Sequence, residues 1–447
     1  MGSEVVDQAI VRWRELLAAD PVASDPDGLA ERLDAHGLIE EGRRLCRVLR
    51  PRFVTAERHR EEQTMAELVV AALRKALATV ESGAIPDELT GGMRDFCRQV
   101  RELDPRPEAA TPFFLRLDAS LARTRLHVME LNSDMPAGEA HNDSVADLFD
   151  GLAVTEEFGR EFGGRMLRML PAFDRVVDGA LSGAPAGSVI AWVIWDDTPS
   201  RIDVLATIAE HLERRGRTVH FVDPRRLETG ARGTSLDGAH VGLVIRTCFT
   251  PELLDRPDDA APLLEAARAG TPVINPLGTG PLGRKALLAL VTDPALELGL
   301  SAAERRAVDR HVPWTRLLRE GRSTGPHGEP IDLMPWVHEH RARLVLKPVH
   351  GFAARGVVLG WRVSAAEWED AIRVGLDGDV VQERVHLQRE PYPILGEPGE
   401  EAEFFEDTDP FLFDAEASGV LTRLSPSEIT NVTAGGGVTA TMVLGRA

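Results

Sequence analysis

The chain has 447 residues, 43% of them hydrophobic, enough for two or three packed units whose cores are far from marginal. A net charge of −20 opposes attraction to phosphate backbones and an aromatic content of 5% leaves few stacking platforms, so nucleic acid is not an expected partner. Cys46, Cys97 and Cys248 are widely spaced with no CxxC pair, which argues against a zinc cluster or a disulfide framework and predicts reduced, packed thiols in a cytoplasmic protein. The start, Met1-Gly2-Ser3-Glu4, lacks a basic and then apolar leader, and no stretch is apolar for long enough to span a bilayer, so neither secretion nor membrane insertion is expected.

In chain order, residues 4–110 read as helical. Ile10, Trp13, Leu16 and Leu17 share one face, Met65, Leu68, Val69, Leu73, Leu77 and Val80 form a longer stripe, and Pro51 and the stretch 83–86 punctuate the pattern. Residues 113–118 and 126–132 predict two strands joined by a turn near Arg123. A Gly/Pro linker at 183–187 opens a different texture, in which apolar runs at 189–194, 218–222, 241–245 and 272–275 alternate with helical patterns and predict a small parallel α/β unit. That unit has no GxGxxG fingerprint, so a dinucleotide is not expected there. A helix over 283–291 follows, then strands near 343–347, 356–360, 379–385 and 419–423 with a helix over 364–375. Seven carboxylates between Glu397 and Asp409 predict a solvated loop, and Tyr392, the only tyrosine, is expected to pack in a Pro-rich turn. The fold class is α/β (α+β), with units at 1–110, 111–182, 183–276 and 277–447.

The chemistry concentrates in a few places. In the run Met129-Glu130-Leu131-Asn132-Ser133-Asp134-Met135-Pro136, strand geometry sends Glu130 and Asn132 to one face, where a carboxylate and an amide oxygen face one hard cation; Asp118, twelve residues before Glu130, adds a third oxygen from a neighbouring strand. Lys347 ends an apolar strand, and the turn after it is bracketed by Gly351 and Gly356, so an anchored ammonium and an amide-rich turn suit phosphates; a hairpin with a surface lysine fits the same residues. The stretch 278–285 narrowly misses a P-loop, because Lys285 comes one place late and Ala286 stands where a hydroxyl is required. Gln382, Glu383 and Val385 lie on a strand able to offer backbone groups to an adenine edge, and the run Gly435-Gly436-Gly437 suggests a lid or a close backbone approach, with a plain surface loop as the alternative. His338-Glu339-His340 lacks the spacing that puts two imidazoles on one helical face, so a solvated helix end is favoured over a metal site.

Together these segments resemble the ATP-grasp superfamily in the circularly permuted order of glutathionylspermidine synthetase and eukaryotic glutathione synthetase, since Asp118 and Glu130-Leu131-Asn132 precede Lys347. The resemblance covers roughly three quarters of the chain and leaves out the N-terminal helices. It implies ATP and Mg2+, with two ions expected, the metal held by Asp118, Glu130 and Asn132. It implies phosphate contacts from Lys285 and Lys347 with Gly351 and Gly356, and adenine contacts from Gln382, Glu383 and Val385. It gives Arg116 the reacting phosphate and carboxylate and Arg423 a substrate carboxylate, and adds Ser133, Asp134, Asn431, Thr433, Gly435 and Gly436 as substrate contacts. One departure stands out: eukaryotic glutathione synthetases carry an acidic metal ligand four residues beyond the phosphate lysine, where this chain has Gly351, so Asp118 would have to serve. The amidase half and nucleophilic cysteine of the bifunctional glutathionylspermidine enzymes have no counterpart here.

The implied reaction is ATP-dependent ligation of a small-molecule carboxylate to an amine, or less readily a thiol, through an acyl phosphate, on amino acids or short peptides. A phosphotransferase stopping at the phosphorylated product and a non-catalytic nucleotide-binding protein are the alternatives. The N-terminal helices, without assigned chemistry, leave room for a homodimer surface.

Overall fold

The computed structural model describes residues 2–19, 28, 31, 38–40, 42–104, 113–122, 125–198, 200–351, 355–395, 399–430 and 435–445. Its central element is an antiparallel sheet in the spatial order Gly437–Thr439, Glu416–Ser425, Glu401–Phe413, Phe114–Ala122 and Arg125–Asn132, with Arg389–Pro393 added beside Glu401–Phe413. Strands from the first third of the chain therefore complete a sheet whose other members come from its end.

Side-chain alternation makes this sheet two-faced. Leu115, Leu117, Val128 and Leu131 point to a core shared with Met65, Val69, Leu73 and Leu77 of the long helix Ala56–Glu81. That helix starts where Thr55 accepts a hydrogen bond from the Arg58 amide at 3.2 Å. The opposite face carries Arg116 and Asp118, paired in register with Asn132 and Glu130.

The predicted α/β unit forms around the parallel strands Val219–Val222, Val189–Val193, Ala239–Arg246 and Val273–Ile274. Its sheet is not wholly parallel, because Gly233–Leu236 and Glu228–Gly230 extend it as an antiparallel edge. A third sheet orders Thr315–Leu317, Asp379–Glu383, Leu344–Pro348 and Val358–Leu359, all antiparallel, beneath the helix Ala365–Gly375, whose Trp368 is fully buried. Cys46, Cys97 and Cys248 are buried and none is in a disulfide. Among the described residues no helix is long and apolar enough to cross a membrane.

Four expectations need correction. The 4–110 region is helical over Gly2–Ala19, Ala56–Glu81 and Met93–Leu103, but Arg52–Thr55 is a strand pairing in parallel with Thr441–Leu444, a partner that no local pattern announces. The acidic stretch expected as a solvated loop is the strand Glu401–Phe413, with Glu406, Asp407 and Asp409 buried, because cations from other elements neutralise them. Tyr392 sits in the strand Arg389–Pro393 rather than a turn and donates to Glu406 at 2.6 Å. The helix expected over 283–291 divides into 3-10 turns at Leu277–Gly283 and a helix at Ala286–Val291, with Lys285 at the joint.

Asn275 clamps the α/β unit to the central sheet. Its Oδ1 accepts from the Phe114 amide at 3.0 Å, while its Nδ2 donates to the Phe114 and Ser133 carbonyls at 2.7 and 2.9 Å. Arg246, 0% exposed, donates to the Asn275 carbonyl at 2.6 Å and to Asp134 at 2.7 Å. Asn275→Ala removes three hydrogen bonds to buried backbone groups at once, leaving the Ser133 carbonyl only its Thr279 donor, and is expected to destabilise the fold by about 3 kcal/mol or more. A urea midpoint equal to the parent's would show that the clamp carries no stability.

Candidate active site

The polar face of the central sheet and the lysine-bearing sheet meet around a cavity of about 190 Å³. Arg116, Asp118, Glu130, Asn132, Asp407 and Arg423 line it from the central sheet, and Lys347, Gln382, Glu383 and Val385 from the other side. Val345, Val357, Leu359, Leu387 and Ile429 make one end apolar, so the cavity has a charged end and a greasy slot.

At the charged end, Asp118 is the hub. Arg116 donates to it through Nε at 2.7 Å and Nη2 at 3.3 Å, Asn132 through Nδ2 at 2.7 Å, and Arg423 through Nη2 at 2.8 Å. Burial works to raise its pKa, but the two guanidinium groups outweigh it and hold the carboxyl well below the usual range. Arg423 also pairs with Asp407 at 3.1 Å and Asp409 at 2.7 Å. Both of those carboxyls are pushed upward, chiefly by burial, and Asp407 further accepts from the hydroxyls of Ser120 and Thr430. Asp409 is fixed by the Ala119 amide at 2.9 Å.

The lysines approach from the other side. Lys285 donates to Glu130 at 3.0 Å and to the Gly351 carbonyl at 2.5 Å, and Lys347 donates to Gln382 at 2.6 Å. Gln382 is held in turn by Thr315 at 3.0 Å. Burial pulls Lys347 down to about 8, with Lys285 adding to the effect and Glu130, Asp118 and Asp407 opposing it.

The sequence-derived residues thus divide. Arg116, Asp118, Glu130, Asn132, Lys347, Gln382, Glu383, Val385 and Arg423 share the cavity, and Lys285 with Gly351 borders it through Glu130. Asp134 does not line it: its carboxylate is committed to Arg246 and Thr250 as part of the clamp. Ser133 is likewise absent from the lining, being buried with its carbonyl held by Asn275 and Thr279. Gly356, Gly435 and Gly436 also lie outside the lining, and the Gly436 carbonyl accepts from Arg43 at 3.1 Å. Asn431, Thr433 and the turn at 352–354 lie outside the described residues.

Sequence reasoning missed Asp407, Thr430, Trp361 and Glu428. Glu428 accepts from Trp361 at 3.0 Å, Arg362 at 2.8 Å and Arg384 at 3.0 Å, while the Arg384 guanidinium stacks 3.9 Å from the Trp361 ring centre. This knot borders the apolar slot. The signal for Asp407 was available: Phe404, Phe405 and Phe411 flank the acidic run, and aromatic residues on both sides of it mark a buried strand better than a loop.

Among the described residues no three His, Cys, Asp or Glu side chains form a metal cluster by themselves. Asp118, Glu130 and the Asn132 amide oxygen, which a turn of that amide presents, are hard donors on one face and suit a cation such as Mg2+ whose shell is completed by water or phosphate.

The whole chain is similar to a glutathione synthetase-like effector from Globodera pallida in its apo form, with a TM-score of 0.60, 11% identity, and coverage of 99% of this chain and 98% of that one. That likeness shows the fold alone, an α/β fold shared over nearly the whole length of both chains. Two further structures align less closely. A putative gamma-glutamylcysteine synthetase from Methylobacillus flagellatus gives a TM-score of 0.39 at 13% identity over 76% of this chain and 81% of that one. A RimK domain ATP-grasp protein from Sphaerobacter thermophilus gives 0.25 at 16% over 57% and 90%. No protein-family model matches the sequence, and no curated protein matches it.

Arg423→Ala removes the cation that Asp118, Asp407 and Asp409 share and is expected to destabilise the fold by about 3–5 kcal/mol at neutral pH. Because the folded Asp118 pKa is depressed, its contribution is present above the unfolded value of about 3.9 and disappears as pH falls through the folded value. The deficit of the variant is therefore expected to shrink in acid. Urea unfolding across that range tests this, and a deficit constant with pH would exclude the electrostatic cause.

Proposed function

We propose that this protein is an ATP-dependent carboxylate–amine ligase that forms an amide bond through an acyl phosphate, on amino acid or short peptide substrates. The observation that carries this reading is the meeting of Asp118 and Glu130 with Lys347 and Lys285 around one cavity, although the two groups lie far apart in the chain. Under this reading the order of the donor strands before the lysine strand is the permuted form of the fold.

The roles follow from charge and shape. Lys285 and Lys347 hold the phosphates, and the slot between Val345, Leu359 and Val385 takes the adenine, with the edge groups of Glu383 and Val385 to hydrogen-bond it. Asp118, Glu130 and Asn132 hold Mg2+, which when bound offsets phosphate charge during transfer. Arg423, fixed by carboxylates on the central sheet, and Arg116 on the same polar face orient the substrate carboxylate and stabilise the oxyanion that develops as the amine adds. The buried setting limits water, which would hydrolyse an acyl phosphate.

The test supplies MgATP and the twenty common amino acids as pooled acid and amine donors. ADP release with an amide product supports the ligase. A phosphorylated acid that accumulates with no amide product supports the phosphotransferase, and no ADP release under any pool overturns both. Glu130→Ala and Lys347→Ala are expected to lower turnover by roughly 10²-fold or more with the fold intact by circular dichroism.

The Lys347 ammonium sets a pH dependence. Its folded pKa of about 8 lies below the ordinary lysine value, so the free protein loses this charge as pH rises through that value. Metal-free nucleotide affinity is therefore expected to fall between pH 7 and about 9.5, and to be weaker and flatter in Lys347→Ala. Calorimetric titration that finds equal affinity at both ends of that range in the parent protein would remove Lys347 from the phosphate site.

A further inference from the structure

Asp118 is saturated. Two contacts from Arg116 and one each from Asn132 and Arg423 occupy its oxygens, so a cation can be bound there only if a present donor leaves. Arg423 is anchored by Asp407 and Asp409 as well, and holds its place through three carboxylates. Arg116 is the looser donor: its remaining hydrogen bond runs from Nη1 to the Ala137 carbonyl at 2.6 Å.

Two residues beyond Ala137 stands a carboxyl with nothing to hold. Glu139 opens the helix Glu139–Asp150, is 0% exposed, and neither carboxylate oxygen finds a hydrogen-bond partner beyond the reach of its own amide. A buried carboxyl without a partner is disfavoured and calls for an explanation. The charged groups that bear on it are Arg116, which favours its ionised form, and Asp143, which opposes it; burial outweighs both and lifts it to about 7. Gly138 before it has φ 126°, and a Cβ there would lie 2.6 Å from Leu421 Cδ2 on the strand that carries Arg423, so the helix start packs closely on that strand.

We propose that Arg116 exchanges partners when a divalent cation binds, leaving Asp118 for Glu139, so that Glu139 is a positioning residue for the metal site. The exchange frees two lone pairs of Asp118 for the cation, moves a guanidinium away from the incoming positive charge, and gives Glu139 the partner it lacks. The inference rests on the metal assignment made above for Asp118, Glu130 and Asn132. It explains why a carboxyl without partners is kept beside a doubly engaged arginine.

The experiment uses the full chain, Mn2+ as a spectroscopic stand-in for Mg2+, and the β,γ-imido analogue of ATP. Free Mn2+ is followed by electron paramagnetic resonance and proton release by calorimetry in buffers of different ionisation heat. Glu139→Gln is expected to weaken Mn2+ binding about tenfold while leaving metal-free binding of the analogue unchanged, with Glu139→Asp intermediate. At pH 6 the parent is expected to release about one more proton per Mn2+ than Glu139→Gln, and at pH 8.5 the two agree. In an Arg116→Gln background, Glu139→Gln should cause no further loss. Parent-like affinity and proton release in Glu139→Gln, an undiminished loss in the Arg116→Gln background, or an equal loss of metal-free binding would each overturn the exchange. Asp118→Asn separates the underlying assignment: if it binds Mn2+ as the parent does, the metal site itself falls, whereas an impaired Asp118→Asn beside a parent-like Glu139→Gln sinks only the exchange.

Discussion

Three carboxylates gathered around one guanidinium organise this molecule. Asp118, Asp407 and Asp409 come from neighbouring strands, and Arg423 on the next strand neutralises them in a setting that water does not reach freely. Taking such charges out of water is costly, and hydroxyls, an amide and a second arginine offset part of that cost by hydrogen-bonding the carboxylates. The same requirement ties distant parts of the chain together, since the strand with Asp118 and the strand with Arg423 must flank Glu401–Phe413 in one sheet before either charge is balanced.

From that hub the rest of the site follows outward. The cross-strand pair of Asp118 and Glu130 fixes an oxygen-rich patch, and Lys285, standing where 3-10 turns give way to a helix, reaches across to Glu130. Lys347 enters from a separate antiparallel sheet, positioned by Gln382 and Thr315. The α/β unit contributes no side chain to the cavity lining, but it locks the donor strands through Asn275 and Arg246, so its role is positional. Similarity of fold over the whole chain at 11% identity is consistent with this division: the packing that places the strands survives where most side chains have changed.

Much of this was legible in the sequence where the signal is local. Alternation placed Glu130 and Asn132 on one face, because a strand has a period of two whatever its neighbours are, and the register of the two strands sets Asp118 and Arg116 opposite them. The apolar stripe of Ala56–Glu81 and the capped helix Ala365–Gly375 were readable for the same reason. Asp134 and Ser133 were misplaced because they follow the strand directly: adjacency to a site along the chain says nothing about which way a side chain turns once a loop begins. The acidic strand was misread because a run of carboxylates is ordinarily solvated, and only distant cations reverse that rule.

The sequence by itself determined the amphipathic helices and the alternating strands that put Glu130 and Asn132 on one face, since both patterns depend on residues a few places apart. Tertiary structure alone decided that Glu401–Phe413 is buried, that Arg52–Thr55 is a strand, and that Glu139 is left without a partner. The physical reason is that burial of charge and parallel pairing are contracts between elements hundreds of residues apart, and their energies exist only when both parties are in place.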